Sequence, residues 1–148
     1  MDRCVECGTC LRVAPCPSQA IFEQESVYEW PRSVRKVFSD PKAVHKETNV
    51  PGRGTEECKT NDVTGRVKRG RVGVAMELGR QGIGTDFNDV EKVSTAVAAL
   101  GVLFEPCNPL TSLMTDTSTG TIRDDVKGER VLSAIVEVET EIGKLPEV

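Results

Sequence analysis

Hydrophobic and polar positions divide the 148-residue chain into a C-terminal part with clear periodicity and an N-terminal part without it. Val72, Val74, Met76 and Leu78 alternate with Gly73, Ala75, Glu77 and Gly79, the period of two expected of a half-buried strand. A glycine-rich turn from Gly79 to Gly84 leads to Thr85 and Asp86, either of which can cap a helix. Phe87, Val90, Val93, Val97 and Leu100 then recur at helical spacing, and Gly101 is placed to stop that helix. Val102 to Glu105 forms a short second strand ended by Pro106. Residues 106–130 are rich in turn formers, with the tightest turn expected from Asp116 to Gly120. A third strand follows, with Leu132, Ala134, Val136 and Val138 facing one way and Ser133, Ile135, Glu137 and Glu139 mostly the other. Lys144-Leu145-Pro146-Glu147-Val148 has the composition of an opening helix.

The order strand, helix, strand, strand is α+β. It is the first part of a ferredoxin-like (split βαβ) sandwich, whose complete form is βαββαβ. The sandwich expected here is incomplete and leaves its first strand with an open edge, which invites pairing with another chain. A truncated piece of a longer protein is the favoured explanation, because the strand-to-helix transition is cut in mid-signal. Completion of the sheet through a partner, as in a homo-oligomer, is the alternative.

The region from 28 to 70 is polar and punctuated by Pro31, Pro41, Pro51, Gly52, Gly54, Gly65 and Gly70. Two short helices are expected, with Pro31 and Pro41 in their first turns and Asp40 capping the second. Trp30, Val34, Val37 and Phe38 would make the buried stripe of the first. Residues 49–66 read as loop. The chain thus divides into a cysteine-rich module (1–27), a helical and loop linker (28–70) and a partial sandwich (71–148).

Charge sharpens this division. Residues 1–85 carry 14 Lys and Arg against 11 Asp and Glu, whereas residues 86–148 carry 5 against 12. The change falls beside Arg66-Val67-Lys68-Arg69-Gly70-Arg71, a basic run read as a solvated turn entering a strand. It lacks interleaved aromatics for base stacking, so a nucleic-acid partner is not expected. No apolar run approaches the roughly 18 residues of a membrane span, and Met1-Asp2-Arg3 leads straight into cysteines without a secretory signal. The Gly79–Gly84 turn matches neither dinucleotide nor P-loop spacing, and the carboxylates of Asp86, Asp89 and Glu91 beyond it would repel a phosphate. The Gly-rich loop from Pro51 to Glu57 is either a ligand loop or a connection. One histidine, His45, and no supporting motif leave no Ser-His-Asp or Cys-His arrangement, so no catalytic residue is assigned. His45 is expected on the surface of a helix.

Six cysteines are the strongest chemical signal, and four of them lie between residues 4 and 16. Cys4, Cys7 and Cys10 are spaced C-x2-C-x2-C, and Cys16 is followed by Pro17. Thiolates at intervals of three surround one compact point when the backbone loops, and Gly8 eases that path. The run Cys4-Val5-Glu6-Cys7-Gly8-Thr9-Cys10, with Cys16-Pro17-Ser18-Gln19-Ala20-Ile21, resembles the bacterial-type [4Fe-4S] ferredoxin motif. The resemblance covers roughly the first 22 residues. It departs from the motif in having five residues, Leu11 to Pro15, before the Cys-Pro where the family has three. The motif also stands as a single copy, which allows one cluster.

The resemblance implies one [4Fe-4S] cluster held by Cys4, Cys7, Cys10 and Cys16, with Cys58 as the alternative fourth ligand and Cys107 a bystander. Structural zinc lacks a second downstream pair of ligands, and a disulfide framework needs an oxidising compartment to which nothing addresses the chain. A reducing, cytoplasmic location is expected. The implied function is iron–sulfur electron transfer as a component of a larger reductase or oxidoreductase, rather than its catalytic part. Its partner would be a redox protein or a further segment of the same enzyme. The competing expectation is a regulatory, small-molecule-binding or dimerisation module whose cluster is structural or redox-sensing.

Overall fold

The structure, a computed structural model, describes residues 3–14, 16–46, 49, 51, 65–80 and 82–148. The fold is mixed α+β, with short helices and small antiparallel sheets. Strand β1 (Arg71–Leu78) is the alternating valine segment. It pairs antiparallel along its whole length with β7 (Ala134–Glu141), from Arg71 opposite Glu141 to Leu78 opposite Ala134. Strand β3 (Leu103–Phe104) pairs with the other side of β7, Phe104 lying opposite Val138. The third strand in sequence therefore sits between the first two, in the order β1–β7–β3.

Helix α3 (Phe87–Ala98) runs between β1 and β3. Asp86 caps it by accepting a 3.0 Å hydrogen bond from the Asp89 amide. Its stripe of Phe87, Val90 and Val97 is buried with Ala134, Val136 and Val138 of β7. Each such side chain contributes about 1.5–3 kcal/mol by leaving water. Leu100 lies beyond the helix end and is exposed, because Gly101 adopts a left-handed φ of 70° and turns the chain.

The acidic side of β7 is the less obvious half of the sheet. Glu137 and Glu139 are buried, as is Glu105 just beyond β3. Their charges are met by groups far away in sequence. Arg66 lies 2.7 Å from Glu139 and 3.6 Å from Glu105, Arg71 also bonds Glu139, and the Asn108 amide donates to Glu137 at 2.6 Å. Burial alone would raise the Glu139 carboxyl, but Arg66 and Arg71 outweigh it and hold it below the usual carboxylate range. Two members of the basic run are thus ion-pair partners of the sheet, while Lys68 and Arg69 are exposed at the turn entering β1.

Residues 106–130 hold more order than their turn-rich composition suggests. Strands β4 (Met114–Asp116) and β5 (Thr121–Ile122) form a hairpin around the expected tight turn, and β2 (Thr85–Asp86) pairs with β6 (Arg130–Val131). The C-terminal segment is a 3-10 helix, Ile142–Glu147.

Helix α1 (Thr9–Val13) lies inside the cysteine run, a 3-10 turn covers Glu25–Tyr28, and α2 (Ser33–Ser39) follows. Helix α2 buries Val34 and Phe38, and the Phe38 ring meets Phe87 edge to face at 5.2 Å. Trp30 departs from the expected stripe: it is 47% exposed, donates to Asp125 at 2.7 Å and lies under the Arg123 guanidinium at 4.8 Å. The expected second helix is also absent from residues 41–46, which form a turn and an isolated bridge from Val44 to Pro51. Asp40 makes the bond of a cap, its carboxylate accepting from the Lys42 amide at 3.0 Å and also from Arg12 at 2.9 Å, but a turn and not a helix follows. His45, expected on a helix surface, is 1% exposed and non-helical. The Ser39 hydroxyl accepts from the Leu132 amide at 2.8 Å and ties α2 to the C-terminal part. Among the described residues no helix is long and apolar enough to cross a membrane.

Candidate metal centre

The cysteine run is shaped by two left-handed residues. Glu6 and Gly8 adopt φ of 56° and 66°, which turns the chain between Cys4 and Cys10 so that α1 begins only at Thr9. At Gly8 a Cβ would lie 2.7 Å from Arg12 Nη1, so a side chain there would displace the Arg12 guanidinium. The result is a loop rather than a continuous helix through the three cysteines, as the spacing leads one to expect.

Cys4, Cys7 and Cys10 line one cavity of about 210 Å³ together with Leu11, Ile21 and Phe22. Cys16 is not among the residues lining it. The Cys4 sulfur accepts from the Glu6 amide at 3.4 Å, and the Cys7 thiol donates to Thr9 Oγ1 at 3.2 Å. Cys16 shares a 3.2 Å hydrogen bond with Ser18 Oγ. That hydroxyl, followed by the backbone amides of Ala20, Ser18 and Ile21, holds the Cys16 thiol below its ordinary pKa. Hydrogen-bond donation to sulfur stabilises a thiolate, the form that ligates metal.

As placed, the side chains do not yet form a coordination sphere: among the described residues no three Cys, His, Asp or Glu groups gather closely enough to hold an ion. Cys4, Cys7, Cys10 and Cys16 together supply four thiols, the number an iron–sulfur cubane takes. Cys4, Cys7 and Cys10 border one partly apolar cavity, and Cys16 stands outside it, hydrogen-bonded to Ser18. The alternative fourth ligand, Cys58, and the Gly-rich loop at 51–57 apart from Pro51 lie outside the described residues. Cys107 is partly exposed beside Glu105, whose carboxylate accepts from the Cys107 amide at 3.1 Å. A larger cavity of about 580 Å³ opens between β3, Arg66 and the β4–β5 turn and holds no cysteine.

Three arginines secure the cysteine loop, and their role does not follow from the cysteine spacing. Arg35 of α2 donates to the Cys4 carbonyl at 2.8 Å and also bonds Glu129. Arg12 donates to the Cys7 carbonyl and to Asp40. Arg32 donates to the buried Glu6 carboxylate, with its Nε at 3.1 Å. Lys36, on the same helix, bonds Glu23 and Asp40. Burial alone would lower the Lys36 ammonium, but these two carboxylates raise it above its usual value. The spacing of Arg32, Arg35 and Lys36 is the signal in the sequence, since residues three and four apart share a helix face.

No protein-family profile, curated protein or solved structure matches the chain.

Proposed function

We propose that the chain is an iron–sulfur electron-transfer module in which Cys4, Cys7, Cys10 and Cys16 hold one [4Fe-4S] cluster. The observation that carries this reading is that Cys4, Cys7 and Cys10 line one cavity, within a C-x2-C-x2-C run closed by Cys16-Pro17. When bound, such a cluster supplies one-electron exchange. The chain supplies the rest. Its four thiolates bind iron, and Cys16 reaches the site through the five-residue spacer from Leu11 to Pro15. The amide of Glu6 and the donors around Cys16 stabilise negative charge on sulfur, which tunes a cluster's potential. Arg12 and Arg35 hold the carbonyls of Cys7 and Cys4 so that these ligands keep their orientation.

Leu11, Ile21 and Phe22 limit water at the cavity while staying 37%, 42% and 67% exposed, which gives an electron partner an apolar surface close to the thiols. That partner is a redox protein or a further segment of the same reductase or oxidoreductase, in the cytoplasm. The β1–α3–β3–β7 segment is the first half of a ferredoxin-like sandwich and serves as the base to which the cysteine module is fastened. Anaerobic reconstitution followed by dithionite titration, monitored by visible absorption and EPR, tests the reading. A cluster that is reduced and reoxidised reversibly is expected. A reconstituted cluster that resists reduction overturns electron transfer, and a colourless chain that retains zinc overturns the cluster itself.

A further inference from the structure

Strand β1 is eight residues long, pairs with β7 without a bulge, and ends the sheet order, so its outer side meets no other strand among the described residues. Natural edge strands are normally blunted by charged side chains, proline or a bulge. The segment Arg71-Val72-Gly73-Val74-Ala75-Met76-Glu77-Leu78 has neither proline nor bulge, and its two charges, Arg71 and Glu77, stand near its ends. Val72, Val74 and Met76 remain only half-buried on the face that packs toward α3. Such an edge can take an added antiparallel strand.

Charge identifies the strand it takes. An added copy of β1 must keep apolar side chains on the α3 face, because a slip of one residue moves every side chain to the opposite face. Among the symmetric pairings, those centred on Val74 or Ala75 satisfy this condition and retain most of the strand. Centred on Val74, Arg71 of each chain lies opposite Glu77 of the other, Val72 opposite Met76, and Gly73 opposite Ala75. Centred on Ala75, Arg71 falls opposite Gly79 and Glu77 opposite Gly73, so neither meets an opposite charge across the axis. Arg71 bonds Glu139 and Glu77 lies 3.4 Å from Arg80, yet they keep 32% and 42% of their side chains exposed, so each can also reach a second molecule.

We infer that β1 pairs antiparallel with β1 of a second copy of this chain about a two-fold axis at Val74, closed at both ends by Arg71–Glu77 pairs. The resulting sheet runs β3–β7–β1–β1–β7–β3 and covers the half-buried valines and Met76 of both copies. This inference does not rest on the cysteine site. It extends a two-stranded contact into an isologous interface, the commonest symmetry of soluble oligomers.

The experiment is sedimentation velocity of the 148-residue chain over a range of concentrations, under reducing conditions that exclude disulfide exchange, with hydrogen exchange at the ends of that range. A dimer is expected whose formation protects the amides of residues 71–78. Glu77→Arg replaces both attractive pairs by repulsive ones and should weaken the dimer by about tenfold, from cross-strand pair energies of a fraction of a kcal/mol each. Its circular dichroism should stay native, because Glu77 is exposed. A monomer at all concentrations overturns the inference and leaves the edge to another segment or partner. A dimer without added protection at 71–78 overturns the site, and one indifferent to Glu77→Arg overturns the register.

Discussion

Arg35 joins the cysteine loop to the sandwich: its Nη1 donates to the Cys4 carbonyl at 2.8 Å while its Nε bonds the carboxylate of Glu129. The side chain is 10% exposed and that of Glu129 14%, so the pair lies largely out of water. The carbonyl belongs to a proposed ligand, and Glu129 lies beside β6. Through one guanidinium, the order of the first cysteine depends on the C-terminal part of the chain.

Arg35→Gln should therefore cost about 2 kcal/mol in urea unfolding, the magnitude of hydrogen bonds to a charged group. It should also raise hydrogen exchange at residues 4–8 more than at β7. Arg35→Lys keeps the charge but cannot bond both partners, and should recover only part of the loss. Equal exchange at the cysteine loop in Arg35→Gln and the unaltered protein would show that this arginine does not position Cys4.

Trp30 is the single tryptophan and reports directly on Asp125, to which it donates. The hydrogen bond from Arg123, then that from Trp30, lowers the Asp125 carboxyl from 3.8 to about 2. A depressed carboxyl favours the folded state above its unfolded value, and that contribution is lost as pH falls from 3.8 toward about 2. The group is exposed, so salt screens the effect and its share of stability is small. Trp30 fluorescence, followed while far-UV circular dichroism stays native, should titrate near the low end of this window, and Arg123→Gln should move the midpoint up. A midpoint already at the ordinary carboxylate value would contradict the Trp30–Asp125–Arg123 contact.

Gly120 closes the β4–β5 turn at φ 71°, and a Cβ there would lie 2.4 Å from the Ser94 carbonyl oxygen of α3. Its own carbonyl accepts from Ser94 Oγ at 2.6 Å. Gly120→Ala should destabilise the fold by about 2–3 kcal/mol through the left-handed backbone and the close approach together. Equilibrium denaturation reads this loss, and an unchanged unfolding midpoint would contradict the docking of the hairpin on α3.

Periodicity made β1, α3 and β7 legible because each turns one apolar side of a regular repeat toward the core, as Val74, Val90 and Val136 do. It could not indicate that Glu137 and Glu139 are buried, since that depends on Arg66, Arg71 and Asn108 arriving from remote parts of the chain. Trp30 looked like core by its size and spacing, yet its indole serves Asp125 and Arg123 at the surface. His45 looked like a surface residue because proline and aspartate before it suggested a helix, whereas residues 41–46 form a turn and a bridge and His45 is buried. The cysteine spacing was visible at once. The arginines that hold it were not assigned to it, because Arg12 and Arg35 reach backbone carbonyls and Arg32 reaches Glu6, partners that their spacing alone does not name.

The measurement that bears most directly on the central claim is iron and sulfide content after anaerobic reconstitution of the unaltered chain and of the Cys16→Ser, Cys58→Ser and Cys107→Ser variants. The account predicts about four irons per chain in the unaltered protein and in the Cys58 and Cys107 variants, with an intact cluster lost only in Cys16→Ser. Loss of iron in Cys58→Ser with retention in Cys16→Ser would contradict the ligand set. Absence of iron from all four proteins would contradict the cluster.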